Sequence, residues 1–368
     1  MHLIRKIVVT GGPCAGKTTG LSWIQNTFSQ RGWKVLFVPE TATELITGGV
    51  CPWTCGTNLD YQIGQMRLQV TKEDIFRTAA DSMPDSRILI VCDRGALDNK
   101  AYMTQEEFNA VLARLHLDEV ELRDSYDAVF HLETAAKGVV EAYTFANNAA
   151  RYETPEEACA LDDRLIAAWT GHPHLRVIGN DTNFEGKLQR LLSEISSALG
   201  EPETYEIERK FLIRYPDVTW LEKQPNCHRV EIIQTYLASE DGQDRRVRQR
   251  GENGTFLYYE TVKRTLPDGQ AVELSRRISD REYLSLLLDA DTTRRQLRKT
   301  RYCMTYGMQS LKIDLYPFWH RQAMVQLHMR DAEEPVRFPP ELELIREVTG
   351  IREYKNSSLA LKIPEEDA

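Results

Sequence analysis

The stretch "TGGPCAGKTT", residues 10–19, decides the fold of the first half of this chain. It follows a short apolar strand at 7–9 and opens a helical pattern, and residues 11–18 match GxxxxGK[ST] in full. In such a loop the glycines let backbone N–H groups surround phosphates, the lysine neutralises them, and the last hydroxyl holds Mg²⁺. The pattern predicts a nucleotide-binding loop formed by Gly11, Gly12, Gly16, Lys17, Thr18 and Thr19.

Further apolar strands follow at 33–40, 87–95, 126–133 and 175–180, with helical stretches between them. This βαβ alternation predicts a doubly wound parallel sheet, an α/β domain over residues 1–198. Ligands of such sheets lie at the carboxyl ends of the strands. Glu40 and Asp93 stand at two of those ends, so they are candidate site residues.

The composition of the 368 residues, 42% hydrophobic and 27% charged, is that of a globular protein with room for two domains. No transmembrane segment or leader is expected. The seven cysteines show no CxxC pair, so we expect reduced thiols and a cytoplasmic location. The loop "CPWTCGTN", 51–58, could bind an acceptor, but packing of Trp53 is the favoured explanation.

Charge is distributed unevenly along the chain. Residues 1–203 hold 19 Lys and Arg against 28 Asp and Glu, whereas residues 204–368 hold 27 of each. Within the second part, residues 245–301 carry 14 basic and 8 acidic residues. The local excess suits a phosphate-rich small molecule, while the acidic whole argues against nucleic-acid binding.

The second half, 204–364, begins after a Gly/Pro/polar break at 196–204 and has short alternating strands with turns, which predicts an antiparallel sheet or barrel. Charges recur at every second position, as they do in "EIERK". We expect a barrel lumen that binds phosphates and a divalent metal. The predicted phosphate-binding residues are Lys210, Arg246, Arg248, Arg250, Lys263, Lys299 and Arg301, and the predicted metal ligands are Glu206, Glu208, Glu273 and Asp314.

The first half resembles the P-loop nucleoside and nucleotide kinases, through the loop, "VPE" and "CDRG". The resemblance implies that Lys17 and Arg94 contact phosphates and that Asp93 binds Mg²⁺, with Thr18, or acts as a base. It implies Glu40 as general base toward an acceptor hydroxyl. Arg151, in "NNAARYETPEEA", falls where these kinases carry an arginine-bearing lid.

The second half resembles the CYTH family of triphosphate tunnel enzymes, through "EIERK", "VKR", "RKTRY" and "REVTGIREYKNSSLA". The resemblance implies that Glu206 and Glu208 bind metal and that phosphates are bound by Lys210, Arg248, Arg250, Lys263, Lys299 and Arg301. Two departures reduce the expected number of carboxylates: His328 and Arg330 replace a late acidic pair, and "AVELS" offers only Glu273. The pairing of both halves resembles the TRPL translocation defect family, which implies guanine-nucleotide and phosphoinositide binding.

Three functions stay open at this point. The first is a phosphotransferase or NTPase that uses ATP or GTP with Mg²⁺ or Mn²⁺, coupled to a tunnel that binds a phosphorylated ligand. The second is a metal-dependent triphosphatase or pyrophosphatase in the tunnel. The third is a non-enzymatic switch in which nucleotide controls binding of a phosphoinositide headgroup.

Overall fold

The computed structural model describes residues 3–138, 154–201, 207–239, 243–265, 271–329 and 335–367. The chain divides into two compact units, Met1–Leu199 and Gly200–Ala368. In the described ranges, no helix has both the length and the apolar content needed to cross a membrane.

The first unit contains a five-stranded sheet in the order β2-β3-β1-β4-β5, with every pair parallel. This confirms the predicted α/β fold. The strands are β1 (Leu3–Gly11), β2 (Lys34–Val38), β3 (Arg87–Asp93), β4 (Ala128–Leu132) and β5 (Leu175–Ile178).

Helices connect these strands and cover both faces of the sheet, because alternate residues of each strand point to opposite sides. Ile7 and Val9 pack with Ile24 and Phe28 in one core cluster, whereas Val8 packs in the other. The helices are α1 (Lys17–Gln30), α2 (Thr41–Thr47), α3 (Asn58–Asp81), α4 (Gln105–Leu115), α5 (Glu119–Arg123), α6 (Pro155–Trp169) and α7 (Phe184–Ala198), with a 3-10 helix at Ala96–Tyr102.

The strand order determines where a ligand can enter the first unit. The chain leaves the central strand β1 toward β2, returns through β3, and then passes β1 to reach β4. Chain directions diverge at β1, and ligands of open parallel sheets bind at such a switch point, outside the carboxyl ends. The predicted phosphate loop, Glu40 and Asp93 all lie at this edge.

The second unit contains a nine-stranded antiparallel sheet in the order β10-β9-β8-β7-β11-β12-β13-β6-β14, which confirms the predicted strand type. Within the described ranges no pairing joins β10 to β14, so barrel closure stays a prediction. The strands are β6 (Ile207–Arg214), β7 (Cys227–Tyr236), β8 (Gln243–Glu252), β9 (Thr255–Thr265), β10 (Ala271–Ile278), β11 (Leu297–Tyr306), β12 (Gln309–Leu315), β13 (Gln322–Met329) and β14 (Leu344–Glu347).

One face of this sheet is an apolar core. Phe211 and Ile213 of β6 pack there with Ile313 and Val325 of neighbouring strands, and Leu221 covers them. Leu221 belongs to the short helix α8. The helices of this unit are α8 (Val218–Lys223), α9 (Asp280–Leu286) and α10 (Asn356–Leu359), with 3-10 turns at Leu287–Asp289 and Arg352–Tyr354. The opposite face therefore receives the alternating charged residues.

Candidate functional site

The predicted phosphate loop connects β1 to the first turn of α1. Gly16 precedes the helix with φ 92°, a left-handed conformation that glycine adopts without strain. Lys17 is the first helical residue, and Thr18 and Thr19 are exposed in the same turn. The N-terminus of this 14-residue helix and its free N–H groups favour a bound anion here.

The structure brings the four predicted catalytic residues together around Lys17. Burial and the nearby Arg94 lower the pKa of Lys17, while Glu40 and Asp93 act in the opposite direction. Such mutual effects require the four charged groups to be close neighbours. The arrangement is the one expected for a centre that binds and neutralises phosphates.

Glu40 and Arg94 form an ion pair in this cluster. Arg94 Nε donates to Glu40 Oε1 at 2.5 Å, and Thr43 Oγ1 donates to the other oxygen at 2.8 Å. Burial raises the pKa of Glu40, but Arg94 and Lys17 outweigh it and lower the pKa to about 2. Glu40 is therefore fully ionised at neutral pH and a weak proton acceptor.

Arg94 itself stands in an uncommon backbone conformation. Its φ is 68°, and its Nη1 is buried with no hydrogen-bond partner among the described residues. A strained arginine with an unsatisfied donor is typical of a ligand-binding position, because the ligand supplies the missing acceptor.

Asp93, at the carboxyl end of β3, behaves differently from Glu40. Burial raises its pKa, Glu40 adds to the rise, and Lys17 opposes it. Its Oδ1 is buried with no hydrogen-bond partner in the described part of the chain. A carboxylate oxygen with unused acceptor capacity fits Mg²⁺, and the raised pKa makes Asp93 the better proton acceptor of the two carboxylates.

The sequence analysis missed an aromatic side chain beside the loop. Phe184, the first residue of α7, is 51% exposed and lies so close to Gly16 that a Cβ there would be 2.5 Å from its Cε2. An exposed ring at this place offers a stacking surface to a planar base. No local motif could have revealed it, because the contact joins residues far apart in the chain.

The expectation that Trp53 packs in the interior was wrong, since the side chain is 70% exposed. Its loop folds around Cys51 instead, whose N–H donates to Thr54 Oγ1 at 2.8 Å. Cys51 and Cys55 are free thiols. Arg151 lies outside the described residues.

In the second unit, strand register places the described residues of the predicted phosphate-binding set on one face, which we call the basic face. Arg248 of β8 lies opposite Gln234 of β7 and Tyr259 of β9. Arg301 of β11 lies opposite Asp314 of β12. Because residues in register share a face, these positions are laterally aligned. The same registers align Lys210, Glu208, Arg246, Arg250, Lys263, Lys299 and Lys312.

Asp314 is the central counter-ion of the basic face. Its fully buried carboxylate accepts from Lys299 Nζ at 2.6 Å and from Arg301 Nε at 2.6 Å. Burial favours the neutral acid, but Arg301 and Lys299 outweigh it and hold the pKa of Asp314 well below its usual range. Both oxygens contact cations, so this carboxylate has little capacity for a metal.

Arg248 is a cation of this face with unused hydrogen-bonding capacity. Its Nε is buried without a hydrogen-bond partner among the described residues, and its guanidinium lies 5.3 Å from the Tyr259 ring. Burial and the adjacent Arg246 and Arg250 lower the pKa of Arg248 to about 10. Clustered arginines repel one another, and a bound polyanion relieves that repulsion.

The predicted tunnel metal site is only partly described. Glu208 is 45% exposed and 3.6 Å from Lys210. Burial raises its pKa, but Lys210 and Lys312 outweigh that and lower it. Glu206 lies outside the described residues, as does Arg330, and for Glu273 only the backbone pairing with Lys263 is known. Among described side chains no cluster of three metal-binding residues exists, so this metal site stays a prediction.

A comparison with protein families concerns the first unit. Residues 6–187 match the family model described as AAA domain. The N-terminal part of the chain is therefore similar to this P-loop family, and the loop that holds Lys17 lies within the matched range.

The solved structures similar to this chain include two of the protein NE1496, described as a hypothetical protein and as an inorganic triphosphatase. The first is 29% identical over 44% of this chain and 100% of its own, with a TM-score of 0.32. The second is 27% identical over 44% and 98%, also with a TM-score of 0.32.

The PH1012 protein from Pyrococcus horikoshii OT3 is 19% identical over 34% of this chain and 80% of its own, with a TM-score of 0.26. Among curated proteins none matches this chain. Partial likeness at these scores assigns no activity, and the resemblance to the TRPL translocation defect family stays a prediction.

Proposed function

We propose that the first unit binds ATP or GTP with Mg²⁺ and transfers or hydrolyses the terminal phosphoryl group. The observation that carries this is the convergence of Lys17, Asp93 and Arg94 at the carboxyl edge of the sheet, with unsatisfied polar atoms on Asp93 and Arg94. Thr18 would hold Mg²⁺, which would neutralise charge on the phosphates.

In the proposed step an acceptor hydroxyl or water oxygen forms a bond to the γ-phosphorus. The bond from that phosphorus to the β–γ bridging oxygen breaks, and the nucleoside diphosphate leaves with the electron pair. Asp93 is placed to accept the attacking group's proton, because burial raises its pKa while Glu40 remains ionised beside Arg94. Lys17 and Arg94 stabilise charge on the phosphoryl oxygens.

We further propose that the basic face of the second unit binds a phosphate-rich anion, such as inorganic triphosphate or a phosphoinositide headgroup. Support comes from the unsatisfied Nε of Arg248 and from the excess of cations over carboxylates on that face. Asp314 balances Lys299 and Arg301, whereas Arg248 keeps a buried Nε without a hydrogen-bond partner among the described residues and can offer it to the ligand.

A metal-dependent triphosphatase in the second unit is the alternative, and the half-exposed, ionised Glu208 favours it. It requires metal-activated water, and the one fully described central carboxylate, Asp314, is occupied by two cations. We therefore rank anion binding above hydrolysis at this face. If the protein turns over no nucleotide, the proposal becomes a non-enzymatic switch, in which nucleotide bound to the first unit controls binding of a phosphoinositide headgroup.

The test uses the full chain with four ligands: ATP, GTP, inorganic triphosphate and an inositol polyphosphate. Lys17→Ala should abolish nucleotide turnover and weaken nucleotide binding, while leaving binding to the basic face intact. Arg248→Ala should weaken binding of the two polyanions about 10- to 100-fold, the scale of one lost charge-assisted contact. Arg298→Ala, on the same sheet but exposed, is the matched control.

Three experimental outcomes distinguish the proposed functions from the alternative. Turnover of ATP or GTP that survives Lys17→Ala would overturn the role of the first unit. Phosphate release from inorganic triphosphate that is lost only in Glu208→Ala would establish the alternative. Equal polyanion affinity in Arg248→Ala and Arg298→Ala would remove the basic-face proposal.

A further inference from the structure

A buried carboxylate lies directly beneath the phosphate loop and belongs to none of the predicted site residues. Asp162, on α6, has a fully buried side chain. Its Oδ1 accepts from the backbone N–H of Gly12 at 2.9 Å and from the backbone N–H of Thr134 at 3.1 Å. The same oxygen lies 2.9 Å from His131 Nε2, and Oδ2 accepts from Lys137 Nζ at 2.9 Å.

The contact with Gly12 is too close to be incidental. A Cβ at Gly12 would lie 2.7 Å from Asp162 Oδ1 and 3.0 Å from Thr134 Cβ. Only glycine allows the loop backbone to approach the carboxylate so closely. A second bond holds the next residue, because Thr134 Oγ1 donates to the Pro13 carbonyl at 2.5 Å.

A buried charge is costly unless hydrogen bonds and opposite charge compensate it. His131 and Lys137 outweigh the effect of burial and keep the pKa of Asp162 well below its usual range, so it stays an acceptor. The chain thus maintains a fixed anion that holds Gly12 directly and also holds the backbone N–H of Thr134, whose hydroxyl in turn bonds the Pro13 carbonyl.

We propose that Asp162 is a positioning residue that holds the phosphate loop in its nucleotide-receiving conformation. The first loop residues, Gly12 and Pro13, are anchored to α6 and to the end of β4, so the following N–H groups are arranged before a phosphate arrives. Preorganised donors bind more tightly because binding does not have to order them. The inference rests on the proposed nucleotide binding of the first unit.

The experiment measures affinity for ATP and for GTP, each with Mg²⁺, in the full chain carrying Asp162→Ala, Asp162→Asn or Leu112→Ala. Leu112→Ala is the matched control, because Leu112 is a buried residue of α4 in the same unit with no contact to the loop. Affinity is measured at a temperature well below the thermal unfolding midpoint of each variant. Hydrogen exchange of the loop peptide, residues 10–17, is followed in parallel.

Asp162→Ala should weaken nucleotide affinity at least about tenfold, the scale of one charge-assisted hydrogen bond, and accelerate exchange in the loop. Asp162→Asn keeps an acceptor for Gly12 but places an amide by Lys137, so it should fall between wild type and Asp162→Ala. Leu112→Ala should lower the unfolding midpoint without changing affinity more than twofold.

Equal affinities in Asp162→Ala and Leu112→Ala, with unchanged loop exchange, would overturn the inference. If Asp162→Ala does not fold, Thr134→Val replaces it, since it removes the hydroxyl that bonds the Pro13 carbonyl and the Ala136 N–H, and it should still weaken affinity severalfold. Failure of wild type to bind either nucleotide would instead refute the proposed function, and this distinguishes the two failures.

Discussion

Two aspartates with a buried carboxylate oxygen, one in each unit, have pKa values shifted in opposite directions although each lies near a lysine and an arginine. Asp93 has Lys17 and Arg94 nearby, yet burial dominates and its pKa rises. Asp314 has Lys299 and Arg301 within 2.6 Å, and these cations dominate, so its pKa falls. The difference is direct hydrogen bonding, which stabilises a carboxylate far more than a nearby charge does.

The comparison separates a group available to a ligand from one that holds structure. Asp93 keeps a buried oxygen without a partner in the described residues, so it can accept a proton or bind a metal. Asp314 has both oxygens engaged, so it can only balance charge. We expect mutations at the two positions to affect different properties, activity at Asp93 and stability at Asp314.

The largest expected effect is that of Asp93→Asn on turnover. Loss of the proton acceptor should lower the rate of nucleotide turnover about 10²- to 10⁴-fold, with nearly unchanged affinity for nucleotide in the absence of metal. Steady-state rates and metal-free binding measure this. Asp81→Asn, at the exposed end of α3, is the control and should have no effect on rate. A stability loss with normal turnover would reverse the assignment of Asp93.

Asp314→Ala should chiefly destabilise the second unit, by about 3–5 kcal/mol, because it leaves Lys299 and Arg301 buried without their counter-charge. Urea unfolding of the full chain measures it, with the exposed Asp289→Ala as control. Added sulfate should restore part of the loss, since an anion can replace the carboxylate. An unchanged unfolding midpoint would show that Asp314 is not the counter-ion that stabilises this face.

The smallest expected effect concerns pH. Burial lowers the pKa of Lys299 to about 7; Asp314 opposes the shift and Arg301 adds to it. Lys299 is therefore cationic below pH 7 and loses its charge above it, so anion affinity should fall as pH rises from 6 to 8. We expect a change of about two- to fivefold, the scale of one screened charge.

Sulfate is the suitable probe for this titration, because its own charge is constant over that range. Lys299→Arg should abolish the dependence, since arginine remains charged. Sulfate affinity that is flat with pH in wild type would mean that Lys299 does not titrate there.

The sequence predicted the parts of the fold that depend on local pattern. The parallel sheet was predicted from the GxxxxGKT loop between a strand and a helix and from the βαβ alternation. Strands that alternate with helices pack in few ways other than as a parallel sheet covered by those helices. Alternating charges placed Arg246, Arg248 and Arg250 on one face, since a strand has a period of two.

The sequence failed where side chains distant in the chain decide the environment. It predicted Asp314 as a metal ligand, which stays a prediction, but it did not reveal that Lys299 and Arg301 both contact that carboxylate. It favoured a packed Trp53, which the turn around Cys51 exposes. Neither Phe184 nor Asp162 carries a motif, and their contacts with the loop exist only because α7 and α6 lie beside it.

By itself, the sequence determined which residue types follow each strand and which face of each strand is charged, because both depend on local spacing. Only the tertiary structure decided which carboxylates are satisfied. Glu40 becomes a strong acid beside Arg94, Asp93 a weaker one, and Asp314 a buried counter-ion, although all three are acidic residues on or beside strands. The pKa of a carboxylate depends on burial and on hydrogen-bond donors within about 3 Å, and spacing along the chain fixes neither.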